Sequence, residues 1–384
     1  MSNFPKVALS DVCSITMGQA PNGESYNDIG HGVPLIAGAA DLGLIHPSPA
    51  KWTTQPTKIS NPGDIILCIR ATIGDRNWAN SRYCLGRGVA GLRSDETRLD
   101  QNFLWHWLDH SSFELKSKGR GATFLQVSKS DIASLEIPLP PLPEQKRIAA
   151  ILDKADSLRT KRRETIKQLD KLAQSLFIEM FGDPVTNPKG WDVGIVGDLL
   201  KSATYGSSKK ADSKVGTYPI LRMNNITYSG EWDFSSLKYI DLSETEKVKH
   251  LVYKGQILFN RTNSKELVGK TAVFRGEIPM AYAGYLIRGI VNQNAHPEYI
   301  GAFMNTPQIK AYLQNKCKAI VGMANINAKE FQAIPIQKPP LDLQQRFASI
   351  ITSIQNHKTR RQSQLTELDT LFTSLQARAF KGEL

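Results

Sequence analysis

Cysteine is scarce in this chain: four in 384 residues, Cys13, Cys68, Cys84 and Cys317, each alone, with no Cys-x-x-Cys spacing and no histidine nearby. A disulfide framework and a zinc ribbon therefore have no basis, and a reducing, cytoplasmic setting is expected. Long apolar runs are missing too. None approaches the roughly 20 residues that cross a bilayer, and Met1-Ser2-Asn3-Phe4-Pro5-Lys6 carries no apolar signal region, so neither membrane insertion nor secretion is expected. A Gly-x-x-x-x-Gly-Lys-Ser/Thr phosphate loop is absent, which leaves ATP-driven motor work without an evident seat. Acids are also in deficit: 36 Asp and Glu face 48 Lys and Arg, and the formal charge of +12 favours polyanionic partners.

What remains is globular in composition, 41% hydrophobic and 22% charged, and the length predicts two or three domains rather than one core. Self-comparison supplies the organisation. Pro140-Pro141-Leu142-Pro143-Glu144-Gln145-Lys146-Arg147 returns as Pro339-Pro340-Leu341-Asp342-Leu343-Gln344-Gln345-Arg346, an offset of 199 positions that runs ungapped to Phe181 and Phe380. The offset also aligns Phe124-Leu125-Gln126-Val127-Ser128 with Met323-Ala324-Asn325-Ile326-Asn327, so each copy includes the end of a globular segment.

Both repeated tails read as long helices. In the first, Ile148, Leu152, Ile166, Leu169 and Leu176 lie on a seam that steps alternately by four and three; in the second, Phe347, Ile351, Leu365, Leu368 and Leu375 reproduce it. Arg159 and Arg162 interrupt the first seam where Lys358 and Arg361 interrupt the second. Their stems are expected to pack while their heads reach water or acids such as Asp156 and Glu164; the sharper alternative is a polar layer that sets register and helps receive a partner. Gly182 before Pro184 and Gly382 should end the helices, and Asp342 with Gln345 resembles a capping box opening the second. A helix from Glu144 to Phe181 would measure roughly 57 Å, between one and two turns of B-DNA at roughly 34–36 Å each.

The intervening segments are rich in Gly, Asn and Ser, with short apolar runs. Gly63-Asp64-Ile65-Ile66-Leu67 and Gly255-Gln256-Ile257-Leu258-Phe259 read as matching buried strands, followed soon by Arg70 and Arg261. Val33-Pro34-Leu35-Ile36 matches Tyr218-Pro219-Ile220-Leu221, and Phe103–Leu108 and Tyr299–Met304 suggest one short helix in each half. The expected fold is α+β: two mixed α/β globular domains joined by two long helices that form an antiparallel coiled coil, with a pseudo-twofold internal repeat.

The run from Pro138 to Ala149, its close at Phe181-Gly182-Asp183-Pro184 and its second copy resemble the DNA-specificity subunit of type I restriction-modification enzymes across the full chain. The resemblance implies target-recognition domains at 1–141 and 184–340, a central spacer helix at 142–183 and a C-terminal spacer helix at 341–384. It implies that each recognition domain binds one half of a split, asymmetric double-stranded DNA site, and that the helices set the gap and dock two methyltransferase subunits. Those partners would bind S-adenosylmethionine and modify adenine, and two restriction subunits driven by ATP with Mg would join them. No cofactor or metal is expected on this chain, nor a catalytic residue. Asn-Pro-Pro-Phe/Tyr, the motif of an amino-methyltransferase, is missing; Asn187-Pro188-Lys189-Gly190 differs at its third residue. The rival reading is a coiled-coil adaptor that joins proteins without reading DNA.

Lys and Arg meet phosphates, Arg pairs with guanine, and Asn or Gln with adenine. Candidate DNA contacts in the first half are Gln19, Asn22, Ser25, Tyr26, Arg70, Thr72, Lys118, Arg120, Gln126, Ser128 and Lys129. The second half offers Tyr205, Ser207, Ser208, Lys209, Lys210, Arg222, Asn224, Asn225, Asn260, Arg261, Asn263, Lys265, Asn325 and Asn327. Gly119-Arg120-Gly121 and Val321-Gly322-Met323 precede the matching strands, where glycine would let backbone approach phosphate or simply turn. The six Trp residues are expected in cores rather than as base-stacking platforms.

Overall fold

The computed structural model describes residues 4–121, 124–320 and 323–384, so Val321 and Gly322 of the second glycine turn lie outside the described residues. The chain divides into two compact units, Met1–Arg163 with Ser363–Leu384, and Glu164–Gln362. The division falls within both long helices, Leu142–Phe181 and Leu341–Lys381, so each unit holds half of each. The first helix takes in Pro143, whose missing N–H costs nothing in a first turn. The second begins ahead of Asp342, which is therefore not its cap; that carboxylate sits inside the first turn, near the positive end of the helix. Gly182, at φ 85°, ends the first helix with its N–H donating to Ile178 O at 2.8 Å. Gly382, at φ 78°, ends the second.

In the first unit a four-stranded antiparallel sheet runs in the order Cys13–Met17, Val89–Ser94, Ile65–Cys68, Arg76–Trp78. A mixed five-stranded sheet sets Val33–Ile36 parallel to Tyr83–Leu85, and Lys6–Ala8 pairs with Glu136–Pro138. Helix Gln101–His110 packs Phe103, Leu104 and Trp107 into the core with Ile65, Leu67 and Leu92. Half of each long helix joins that core: Ile148 and Leu152 from the first, Phe372, Ala379 and Phe380 from the second. They run antiparallel, since Arg147 meets the main chain of Leu384 and Arg159 meets Asp369.

The second unit repeats the plan. Leu200–Tyr205, Leu286–Val291, Ile257–Asn260 and Thr271–Val273 form the antiparallel sheet; Tyr218–Leu221 lies parallel to Met280–Tyr282 in a four-stranded one. Val193–Ile195 pairs with Pro335–Gln337, and a three-stranded ribbon, Thr262–Asn263, Met323–Asn325 and Lys318–Ile320, stands where the first unit has single antiparallel bridges from Gln126 to Arg70 and to Arg120. Helix Pro297–Met304 takes the place of Gln101–His110, and Phe177, Phe181, Tyr299 and Phe347 gather into an aromatic cluster. The long-helix halves again run antiparallel, with Asp170 against Lys358 and Phe181 against Phe347.

One side chain locks each globular layer to its helix. Gln145, fully buried, accepts from the Asp100 N–H at 2.8 Å and donates to Arg98 O and Pro140 O at 2.9 and 2.8 Å. Gln344 does the same with His296 N–H, Asn294 O and Pro339 O. Along the seam, Ile148, Leu152, Phe347, Ile351 and Leu365 are buried, whereas Ile166, Leu169, Leu176, Leu368 and Leu375 are half-buried. Arg159 bridges Asp156 and Asp369 at 2.8 and 2.6 Å with its guanidinium 4.1 Å over Phe372. Lys358 reaches Asp170 at 2.5 Å and Glu231 at 3.3 Å, so the acids that meet these bases come largely from the opposite helix and a neighbouring loop.

Candidate nucleic-acid interface

Backbone hydrogen bonds make the loop faces of the two units comparable residue by residue. Gly18 N–H donates to Val89 O and Gln19 N–H to Leu85 O; Gly206 N–H donates to Leu286 O and Ser207 N–H to Tyr282 O. Ile69 N–H meets Gly88 O while Val127 N–H meets Ile69 O; Arg261 N–H meets Tyr285 O while Ile326 N–H meets Arg261 O. Gln19 thus corresponds to Ser207, Gly88 to Tyr285, and Gln126 to Asn325. Arg261 stands where the first unit has Ile69, and Arg70 stands where the second has Thr262. The two arginines are therefore one residue out of register, and on extended backbone one residue reverses the face a side chain occupies.

In the first unit, Arg70 and Arg120 each bridge to Gln126 across short antiparallel contacts, with Arg120 N–H donating to Gln126 O at 3.0 Å and Gln126 N–H to Arg120 O at 2.9 Å. Arg120 is exposed along 84% of its side chain, and Asp131 lies 3.5 Å from its guanidinium. The Ser128 hydroxyl caps helix Lys129–Ala133, and its hydrogen bonds hold the Asp131 carboxyl below its usual range. Gln19, Asn22, Thr72 and Lys129 are exposed; Tyr26 and Lys118 are half-buried. Ser25 is buried, its hydroxyl 2.6 Å from Asn22 O and 2.7 Å from Thr53 Oγ1, so it shapes a turn rather than facing outward.

In the second unit, Arg261 donates to Asn325 Oδ1 at 3.0 Å with its guanidinium 4.9 Å over the Tyr205 ring. The Tyr205 hydroxyl accepts from Ala328 N–H at 2.8 Å, and Asn327 caps that same helix, Ala328–Gln332. Tyr205, Arg261, Asn325 and the Asn327 cap thus form one cluster. Asn263 borders it on the paired strand, and Ser208, Lys210 and Lys265 are exposed. Lys209 is tied to Glu246 at 2.7 Å, and that bond with those of Ser243 pulls the Glu246 carboxyl down to about 2. Ser207, Asn225 and Asn260 are buried. Asn225 braces its loop by accepting from Arg222 N–H and donating to Asp233 O, at 2.9 and 2.8 Å.

Arg222 and Asn224 lie on a separate loop, both tied to Ser236. Two buried lysines hold that loop: Lys270 donates to Met223 O and Ile226 O at 2.8 and 2.5 Å, and Lys310 to Tyr228 O while lying 3.7 Å over the Tyr228 ring. Burial lowers both ammonium groups, and with the charge of Lys270 nearby Lys310 falls to about 8.

Arg87 and Tyr285, both exposed at the turn between corresponding strands, were not among the sequence candidates. The turns Gly86-Arg87-Gly88 and Gly284-Tyr285 were the available signal. Among the described residues, no three of His, Cys, Asp and Glu gather as a metal site, and no helix is long and apolar enough to cross a membrane.

A family model described as Type I restriction modification DNA specificity domain matches residues 1–168 and again 188–367. A putative type I restriction enzyme MjaX specificity subunit from Methanocaldococcus jannaschii is 39% identical over 42% of this chain, a match that spans only 38% of that relative. The EcoKI specificity subunit of Escherichia coli K12 is 24% identical over 88% of this chain and 78% of its own length. Among solved structures, the S subunit of a type I restriction-modification system from M. genitalium superimposes with a TM-score of 0.61 at 16% identity, covering 99% of this chain and 96% of that one. A chain from a study of complex assembly in the type I system gives 0.57 at 17%, covering all of both chains, and these two likenesses establish the fold.

Proposed function

The chain belongs to the family of type I restriction-modification DNA specificity subunits, the non-catalytic component of those enzymes, and from that premise we propose that its two halves each read one part of a split, asymmetric duplex site. The observation that carries this reading is the recurrence of one loop face in two chemical versions. Gln19, Arg70, Arg87 and Gln126 furnish the first; Arg261, Tyr285 and Asn325 furnish the second, where Ser207, the counterpart of Gln19, is buried and Arg261 takes the register position of Ile69 rather than that of Arg70. Two different words on one duplex call for a common scaffold with different donors and acceptors. Arg70, Arg120 and Arg261 suit guanine, Gln126 and Asn325 suit adenine, and Lys118, Lys129, Lys209, Lys210 and Lys265 suit phosphates.

We assign recognition to 1–141 and 184–340 and spacing to the helical segments 142–183 and 341–384, whose length sets the number of base pairs between the words. Two methyltransferase subunits carrying S-adenosylmethionine dock there, and restriction subunits using ATP and Mg join them, all within the cytoplasm. The solved chain from a study of type I complex assembly supports a place in such an assembly.

Mapping methylated adenines across the source genome tests the reading. The expected motif is bipartite, with a modified adenine in both parts; one continuous motif overturns it. In a gel shift titrated with salt, log K should fall with log salt by about 0.9 for every phosphate neutralised, and a flat profile would remove DNA from the account.

A further inference from the structure

Register makes a cavity in the second unit comparable, position by position, with the first. Asp100 N–H meets Gln145 as His296 N–H meets Gln344, so along the two helices Trp105 corresponds to Gly301 and Asp109 to Asn305. Ile65 pairs with Trp78 as Ile257 pairs with Val273, so Trp78 corresponds to Val273 and Arg76 to Thr271. In the first unit these positions are filled. Trp78 and Trp105 stack at 4.8 Å, and the Arg76 guanidinium lies 4.4 Å over Trp105 and donates to Asp109 at 2.8 Å, where Gln376 also donates.

In the second unit the indoles and the guanidinium are gone, and a cavity of 560 Å³ occupies the place. Phe177, Ile178, Ala302, Ile351 and Ile354 supply apolar wall. Asn305 donates from Nδ2 to Thr271 O and Gly301 O, at 2.7 and 2.9 Å, which fixes its amide and turns Oδ1 away from those carbonyls. That oxygen is buried without a partner, as is Oε1 of Gln308, another lining residue, whose Nε2 is committed to Asp183 at 2.7 Å. The cavity is in the size range of small-molecule sites, and among the charged groups that also border it, Arg275 forks onto Glu298 at 2.7 and 2.6 Å, and Asp170 and Glu231 meet Lys358. Its unmatched polar atoms are acceptors, which favour a ligand that donates.

We propose that this cavity binds a flat bicyclic aromatic molecule that donates N–H hydrogen bonds, of the indole or benzimidazole kind. Such a ligand restores to the second unit what the first builds from its own side chains: a stacked ring against the helix and a donor to the residue at position 109 or 305. The site is separate from the Tyr205, Arg261 and Asn325 cluster, although Ser229, Gly230 and Glu231, on the loop that carries Arg222 and Asn224, line it, so failure of ligand binding would leave the DNA reading of that cluster untouched.

The full-length chain titrated with indole, benzimidazole and 1-methylindole, followed by saturation-transfer NMR and melting temperature, tests the proposal. Indole and benzimidazole should bind saturably at one site and raise Tm by a few degrees, with 1-methylindole, which has the ring but no N–H, weaker by about tenfold. Ala302→Phe, at the position that carries His106 in the first unit, should abolish binding while leaving Tm and DNA affinity near the parent values. Absence of saturable binding to the parent chain overturns the proposal, as does binding that survives in Ala302→Phe or equal affinity for 1-methylindole. If Ala302→Phe does not fold, the comparison of ligands on the parent chain decides.

Discussion

Arg261 and Asn325 are joined side chain to side chain, Nη2 to Oδ1 at 3.0 Å, while Tyr205 underlies the guanidinium at 4.9 Å. A guanidinium held by a ring and an amide loses little freedom on meeting a guanine edge. Arg261→Ala should therefore weaken binding to the specific site by about 1–3 kcal/mol, and Arg261→Lys should not restore it, because a point charge replaces a planar fork. Fluorescence anisotropy on specific and scrambled duplexes reads both effects. Equal losses on the two duplexes would make Arg261 a phosphate contact instead.

Asn225 supplies the contrast. Buried and bonded to Arg222 N–H and Asp233 O, it belongs to the loop's frame. Asn225→Ala should lower folding stability by about 1–3 kcal/mol without changing which bases are preferred, as urea unfolding and a methylation map of the variant would show.

Gln145 satisfies three backbone groups at once. Gln145→Leu leaves those groups buried and unpaired, and the expected cost is about 3 kcal/mol. Gln344→Leu should cost a similar amount in the second unit. Each should destabilise its own unit, visible by hydrogen exchange as lost protection in helix Gln101–His110 or Pro297–Met304 respectively.

The lowered lysine gives a pH signature. With Lys310 at about 8 when folded and near the ordinary 10.5 when unfolded, the unfolded chain binds more protons between those values, so stability rises with pH across that window and is flat below it. Lys310→Met should reduce the rise in denaturant midpoints measured between pH 8 and 10, leaving the part that the lowered Lys270 contributes.

The long helices were legible because an amphipathic period of four and three survives any tertiary context, and because Gly182 and Gly382 can adopt a positive φ cheaply. The strands at Ile65 and Ile257 and the short helices at Phe103 and Tyr299 were legible for similar local reasons. The recognition loops were not. Asn225 and Asn260 have the donors and acceptors of an adenine reader, but identical groups also brace turns, and only burial separates the uses. Matching Arg70 with Arg261 by type passed over a one-residue offset already present in the aligned strand starts at Gly63 and Gly255, and the strand register agrees with it. Gln145 and Gln344 were visible as a repeated letter, yet their partners at Arg98, Asp100, Asn294 and His296 lie far along the chain.

The first unit draws Phe372, Ala379 and Phe380 from Ser363–Leu384, whereas the second is a single stretch, Glu164–Gln362. Translation is vectorial, so the strands that leave the ribosome earliest wait longest for their last core residues, and the later-born unit is completed first. Throughout that interval the nascent first core presents an apolar face around Phe103 and Ile148 with no helix to cover it, which makes the early half the natural client for a chaperone during synthesis.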